Sequence, residues 1–221
     1  MAETIVMIHG MWGTGWYWEN FKGFFEGKGY QCVVPTLRYH DMDPKGIPDP
    51  RLGTTSLLDY AADLEKLIRE LEGTPILMGH SMGGLLAQIL SSRGLAKALV
   101  FAEAAYSMLN LMPFESQKSI YDKFVFESGR AASEIGFWLF DSKKAARVDE
   151  SKVTCPVLIV AGEKDRIVPV SVTRKIAEKY KKVSTYKEFP DHSHWVVGEP
   201  GWQEITEYIK EWLNRALSKP D

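Results

Sequence analysis

Cysteine is nearly missing from this chain, with two residues in 221, Cys32 and Cys155. That excludes a disulfide-stapled secreted scaffold. Each thiol lies beside apolar residues in or next to a strand-like run and reads as a buried free thiol in a reducing compartment. An excess of charge is lacking as well. Lysine and arginine number 27 against 29 aspartates and glutamates, and no basic run is longer than the pairs Lys143-Lys144 and Lys181-Lys182. Such a balance points to neither a nucleic-acid partner nor a polybasic membrane arm. No apolar run approaches the ~20 residues of a membrane-spanning helix. Met1-Ala2-Glu3-Thr4 leads directly into Ile5-Val6-Met7-Ile8, without the basic start and apolar stretch of a secretory signal. The expectation is a cytoplasmic protein with no membrane span.

What is present is ordinary globular material. Apolar residues make up 45% of the chain, and the length suits one domain over residues 1–221. Short runs rich in Val, Ile, Leu and Met alternate with segments of helical period. This is the pattern of a parallel sheet buried under helices on both faces. The expected strands are Thr4–Ile8, Gln31–Pro35, Pro75–Gly79, Lys97–Ala102, Pro156–Ala161 and Val183–Phe189. They make an open, doubly wound, mostly parallel α/β sheet of about six strands. Two of the helices are plain from periodicity. One runs from Ser56 to Leu71 and carries Leu57, Tyr60, Ala61, Leu64, Leu67, Ile68 and Leu71 on one face. The other is the last, Trp202–Leu217. Residues Arg38 to Gly53, with Pro44, Pro48 and Pro50, read as a surface loop. Residues 106–153 form a longer insertion, with helices expected around Phe114–Phe126 and Arg130–Phe140. It is too small for its own core and is placed as a small helical lid over the strand ends.

The chemistry enters at Gly79-His80-Ser81-Met82-Gly83, which follows one apolar strand and opens an apolar helix. A serine on a sharp strand-to-helix turn projects its hydroxyl, and bulky neighbours two residues to either side would collide there. The helix that starts there turns its positive end toward any negative charge that develops.

With its strand before and its helix after, this segment resembles the nucleophile turn of the α/β-hydrolase superfamily. The chain is similar to small bacterial esterase- and lipase-like members with a short lid. His9-Gly10 early, Gly79–Gly84 in the middle and His194-Trp195 late carry the resemblance, which covers nearly the whole length. The family's first two strands are missing, because Thr4–Ile8 already corresponds to the strand before the oxyanion loop. The resemblance implies Ser81 as nucleophile, with an acid and then a histidine following in chain order. Ser193-His194-Trp195 matches the family's histidine segment better than His192 does, so His194 is the expected base. His192 is expected to hydrogen-bond within its loop, and His9 and His80 are expected to be structural. Asp165, just beyond the strand ending in Ala161-Gly162, matches the acid position. Glu103 is its rival after the preceding strand, and Glu163 matches less well. Backbone N–H groups of Met82 and Met11 are expected to form the oxyanion hole, with Trp12 the alternative to Met11.

Aromatic residues crowd two places, Trp12 to Trp18 and the insertion. Most are expected to be core, but Trp12, Met108, Leu111, Phe137 and Trp138 are candidates for substrate contact. An apolar carboxylic ester of small to medium size fits such a lining. No arginine pair is present to receive a phosphate or carboxylate substrate. The expected enzyme is a carboxylesterase, a monomer or homodimer, needing neither metal nor organic cofactor. Two other functions remain open on the same fold. One is a lyase or C–C bond hydrolase, for which Lys187 is the lysine nearest the histidine. The other is a ligand receptor without turnover.

Overall fold

In the computed structural model, residues 2–102, 109–166 and 168–218 are described. Six strands follow in chain order: β1 (Thr4–Ile8), β2 (Gln31–Val33), β3 (Ile76–His80), β4 (Ala98–Ala102), β5 (Val157–Gly162) and β6 (Ser184–Phe189). They form one sheet in the order β2-β1-β3-β4-β5-β6, and every neighbouring pair is parallel. After β1 the chain moves to the β2 edge, then crosses back to lay β3 on the other flank of β1. That reversal leaves a crevice at the carboxyl ends of β1 and β3, the place where open α/β sheets receive ligands.

Side-chain alternation along the strands divides the core. Val6, Ile8, Leu77, Leu99, Phe101 and Ile159 pack on the face covered by α2 (Leu57–Arg69) and α3 (Met82–Ser91), with Ile176 of α6 (Val170–Lys179) against the same cluster. Ile5, Met7, Ile76, Met78, Val100 and Leu158 face α1 (Glu19–Glu26) and α7 (Trp202–Leu217). Both faces are dry, which is why the strands lack polar alternation. The helical stripe read from Ser56 to Leu71 starts from a capping box. The Ser56 side chain accepts from the helix backbone, and the Asp59 carboxylate accepts the Ser56 N–H at 2.9 Å.

Periodicity missed α1 and α6. In α1 only Phe21 and Phe25 are buried, and in α6 only Thr173, so neither carries a broad apolar stripe. Both cysteines are free as expected, but each is half-buried rather than buried, and Cys155 precedes β5 instead of lying in it. Partial burial pushes each thiol up to about 11.

Between β4 and β5 the described part of the insertion holds α4 (Phe114–Tyr121) and α5 (Gly129–Gly136), both shorter than their apolar runs suggest. Two buried carboxylates pin it. Glu134 accepts from Ser56 Oγ at 2.8 Å, the Leu57 N–H at 2.8 Å and Arg130 Nε at 2.9 Å. Glu127 accepts the Tyr60 hydroxyl at 2.9 Å and the Ser128 N–H at 2.7 Å, and it meets His40 Nε2 at 3.1 Å.

Candidate active site

The turn from β3 into α3 sets Ser81 at φ 61° and ψ −129°. For a residue with a side chain this left-handed backbone costs ~1–3 kcal/mol and persists only where its surroundings hold it. They do so here. The Ser81 N–H donates to the Ala102 carbonyl of β4 at 2.8 Å, and the Gly84 N–H donates back to the Ser81 carbonyl at 2.7 Å. Glycine is required on either side. A Cβ on Gly79 would stand 2.3 Å from the Gly83 carbonyl oxygen, and one on Gly83 would stand 2.0 Å from that of Ile8. Helix α3 therefore begins against the end of β1. Its first N–H, on Met82, has no acceptor within the helix.

The loop after β1 lies beside the serine: a Cβ on Gly10 would come within 2.7 Å of Ser81 Cβ. His9 braces this loop. The Leu37 N–H donates to His9 Nε2 at 3.1 Å, so Nδ1 carries the proton and donates to the Gly10 carbonyl at 2.8 Å. Complete burial pushes the His9 imidazole down to about 4, which keeps it neutral. The Tyr17 hydroxyl donates to the Met11 carbonyl at 2.7 Å, and the Val125 N–H from the insertion donates to the Trp12 carbonyl at 3.0 Å. Trp12 itself is left-handed at φ 60°.

Across the crevice, the loops after β5 and β6 are joined to each other. The Glu163 N–H donates to the Phe189 carbonyl at 3.0 Å and the Lys164 N–H to the His192 carbonyl at 2.9 Å. This brings His194 Nδ1 to 2.9 Å from Asp165 Oδ2. Asp165 Oδ1 accepts the Val168 N–H at 3.1 Å, which aims the carboxylate. Glu163 is exposed. His194 is 1% and Ser81 7% exposed. With Nδ1 held by Asp165, His194 Nε2 is buried and has no hydrogen-bond partner among the described residues.

Two groups not foreseen as positioning residues hold this histidine. His80 Nε2–H donates to the His194 carbonyl at 3.0 Å, and the two rings lie 4.9 Å apart. Burial, reinforced by His194, pushes the His80 imidazole down to about 3. Glu199, 1% exposed, accepts the Ser193 N–H at 2.8 Å, the Ser193 hydroxyl at 2.5 Å and His192 Nδ1–H at 3.0 Å. A sequence clue to Glu199 exists only in its position, between Gly198 and Pro200 shortly after His194.

The other sequence candidates are distributed unevenly. Glu103 and Met108 lie outside the described residues. Leu111 is half-buried, and Trp12 packs against the core cluster beneath the α1 face. Phe137 and Trp138 are 68% and 57% exposed and line two surface grooves whose walls contain neither Ser81, Asp165 nor His194. Helix α5 ends at Gly136, so the aromatic run falls beyond the helix and leaves the inward stripe that a longer helix would have continued. Lys187 is occupied elsewhere, with its ammonium over the rings of Phe189 and Tyr208. Among the described residues no cluster of His, Cys, Asp or Glu could hold a metal ion, and no helix is long and apolar enough to cross a membrane.

The fold and this turn define an α/β hydrolase. Residues 5–203 match the model of the alpha/beta hydrolase family, and the chain belongs to that family. A pyrethroid hydrolase from Sphingobium wenxiniae is 28% identical over 83 residues, or 38% of this chain and 28% of that protein. The match thus spans less than a third of the relative's own length. A monoacylglycerol lipase from Paleococcus ferrophilus superposes with a TM-score of 0.76 at 22% identity, over 96% of this chain and 94% of the other. A methylesterase from Arabidopsis gives a TM-score of 0.75 at 13% identity, over 97% of this chain and 100% of the other. At these identities the two structures share the fold.

Proposed function

We propose that the protein is a serine hydrolase that cleaves apolar carboxylic esters of small to medium size through an acyl-enzyme. The observation that carries this reading is the 2.9 Å contact between His194 Nδ1 and Asp165 Oδ2, opposite a serine set in a strained turn. In this reading Asp165 fixes the tautomer with the proton on Nδ1, so Nε2 is the basic nitrogen. Ser81 Oγ attacks the ester carbonyl and passes its proton to Nε2. The alkoxide that forms faces the backbone N–H groups of Met82 and Met11. Such an oxyanion donor is worth ~2.7–4 kcal/mol in the transition state. The imidazolium then protonates the departing alcohol. A water enters, gives its proton to Nε2 and attacks the acyl carbon, and Ser81 is released with its proton restored.

The insertion serves as a lid in this mechanism. Its tie from Val125 to Trp12, and that from Asn110 Nδ2 to the Lys164 carbonyl at 3.2 Å, support this role. Both reach loops that carry proposed catalytic groups. A panel of p-nitrophenyl esters of increasing acyl length, with fluorophosphonate labelling of wild type and Ser81→Ala, tests the assignment. Turnover and labelling that both vanish in Ser81→Ala are expected. Wild type that neither turns over any ester nor takes the label would overturn it.

A further inference from the structure

Beyond α5 the insertion exposes four consecutive large apolar side chains, Phe137, Trp138, Leu139 and Phe140, at 68%, 57%, 63% and 86%. Four large apolar side chains exposed in succession on a folded surface point to a contact with another phase or molecule. Exposed basic residues stand beside it. Lys143 lines the same groove as Phe137 and Phe140, while Lys144 and Arg147 line the next groove with Trp138. Among the described residues none of Lys143, Lys144 and Arg147 forms an ion pair. The nearest acid in the run, Asp141, turns its carboxylate to the Lys143 and Ala145 N–H groups. The other acids on these grooves are each paired, Glu134 with Arg130, Asp149 with Lys152 and Glu150 with Lys179, so Lys143, Lys144 and Arg147 outweigh Asp141 and leave a small positive excess here.

We infer that this aromatic and basic face docks the protein on an anionic lipid surface, independently of the ester reading. The aromatic and leucine side chains enter the headgroup boundary and the three cations pair with lipid phosphates and carboxylates. An apolar insertion plus a basic patch supplies the two signals that stable surface binding requires. A second copy of this chain is the weaker occupant. A twofold interface through this patch would set Lys143, Lys144 and Arg147 close to their own counterparts.

The test is flotation of the full chain with vesicles of phosphatidylcholine alone and of phosphatidylcholine mixed with phosphatidylserine. Binding to the mixed vesicles is expected, weakening as salt rises and by about fivefold for each cation removed. Leu139→Ser/Phe140→Ser and Lys143→Glu/Lys144→Glu should each float poorly while keeping the wild-type melting temperature, since all four positions are exposed. Quenching of tryptophan emission by bromine-labelled lipid reads insertion in the wild type without any variant. Three results would overturn the inference: wild type left in the soluble fraction with mixed vesicles, flotation unchanged in both variants, or a dimer broken by the variants while vesicles are ignored.

Discussion

His80 Nε2–H donates to the backbone carbonyl of His194 at 3.0 Å, so the residue before the proposed nucleophile holds the main chain of the proposed base. This bond spans two loops that meet only through the fold. Without it, His194 is fixed by Asp165 at its ring but loses a support at its backbone. A displacement of about 1 Å near a reacting group costs on the order of a hundredfold in rate. His80→Ala should therefore lower kcat for p-nitrophenyl ester hydrolysis by about 10–100-fold with KM little changed. Steady-state kinetics on the variant check this, and an unaltered kcat would remove His80 from the positioning of the base.

The two acid candidates separate by mutation. Asp165→Asn keeps the shape but stabilises the wrong tautomer of His194, a change that costs about 10⁴-fold in kcat where such triads have been dissected. Glu103→Gln should stay within a fewfold of wild type. Parallel measurements of kcat/KM decide the matter, and the reverse order of effects would transfer the acid role to Glu103.

The sheet was legible because strands buried on both faces must be apolar throughout, so β1, β3 and β5 stood out as uninterrupted runs. The turn at Ser81 was legible because the close approach of Gly79 to Gly83 admits no side chain, and that demand is written in glycine. The supports were not. Glu134 meets Ser56 across 78 positions of sequence, and a carboxylate that will be buried by distant donors looks like any solvated one. The setting of Phe137 and Trp138 was not legible for a related reason: the apolar pattern runs past Gly136, where α5 stops.

Acid should unfold this protein early. His9 and His80 are held neutral in the folded state, at about 4 and about 3, but take up protons near pH 6.5 once unfolded. Below pH 6.5 the unfolded chain binds more protons than the folded one. The stability linked to these residues is complete above that pH and is lost as pH falls toward the folded values. At pH 5 the deficit is about 2 kcal/mol for each of the two. Urea unfolding at pH 7 and pH 5 should show that loss, and His80→Gln should show about half of it. Equal stability at the two pH values would contradict the burial of two neutral imidazoles.

Glu134 fastens the insertion to the start of α2. Glu134→Ala leaves the Leu57 N–H and the Ser56 hydroxyl without their acceptor and Arg130 without its partner. Stranding buried donors of this kind costs about 1–3 kcal/mol each. Limited proteolysis should cut the variant within the insertion sooner than wild type, while the sheet and α7 stay resistant. Cleavage at the wild-type rate would show that other contacts hold the segment.

The Glu199 carboxylate gathers three donors from the two residues before His194. Removing one partner of a buried charged network costs more than the network contributes to stability, because the remaining donors stay dehydrated. Glu199→Ala should therefore destabilise the fold by about 3–5 kcal/mol. It should also free the Ser193–His194 backbone. Glu199→Gln fills the same space but offers one carbonyl oxygen where two carboxylate oxygens now accept, so it should cost less stability and retain more activity. The two readouts separate support from simple unfolding. At a temperature where both variants are folded by circular dichroism, kcat should follow the order wild type, Gln, Ala, with KM little changed. Equal kcat in all three folded proteins would confine Glu199 to stability and leave the placing of His194 to Asp165 and His80.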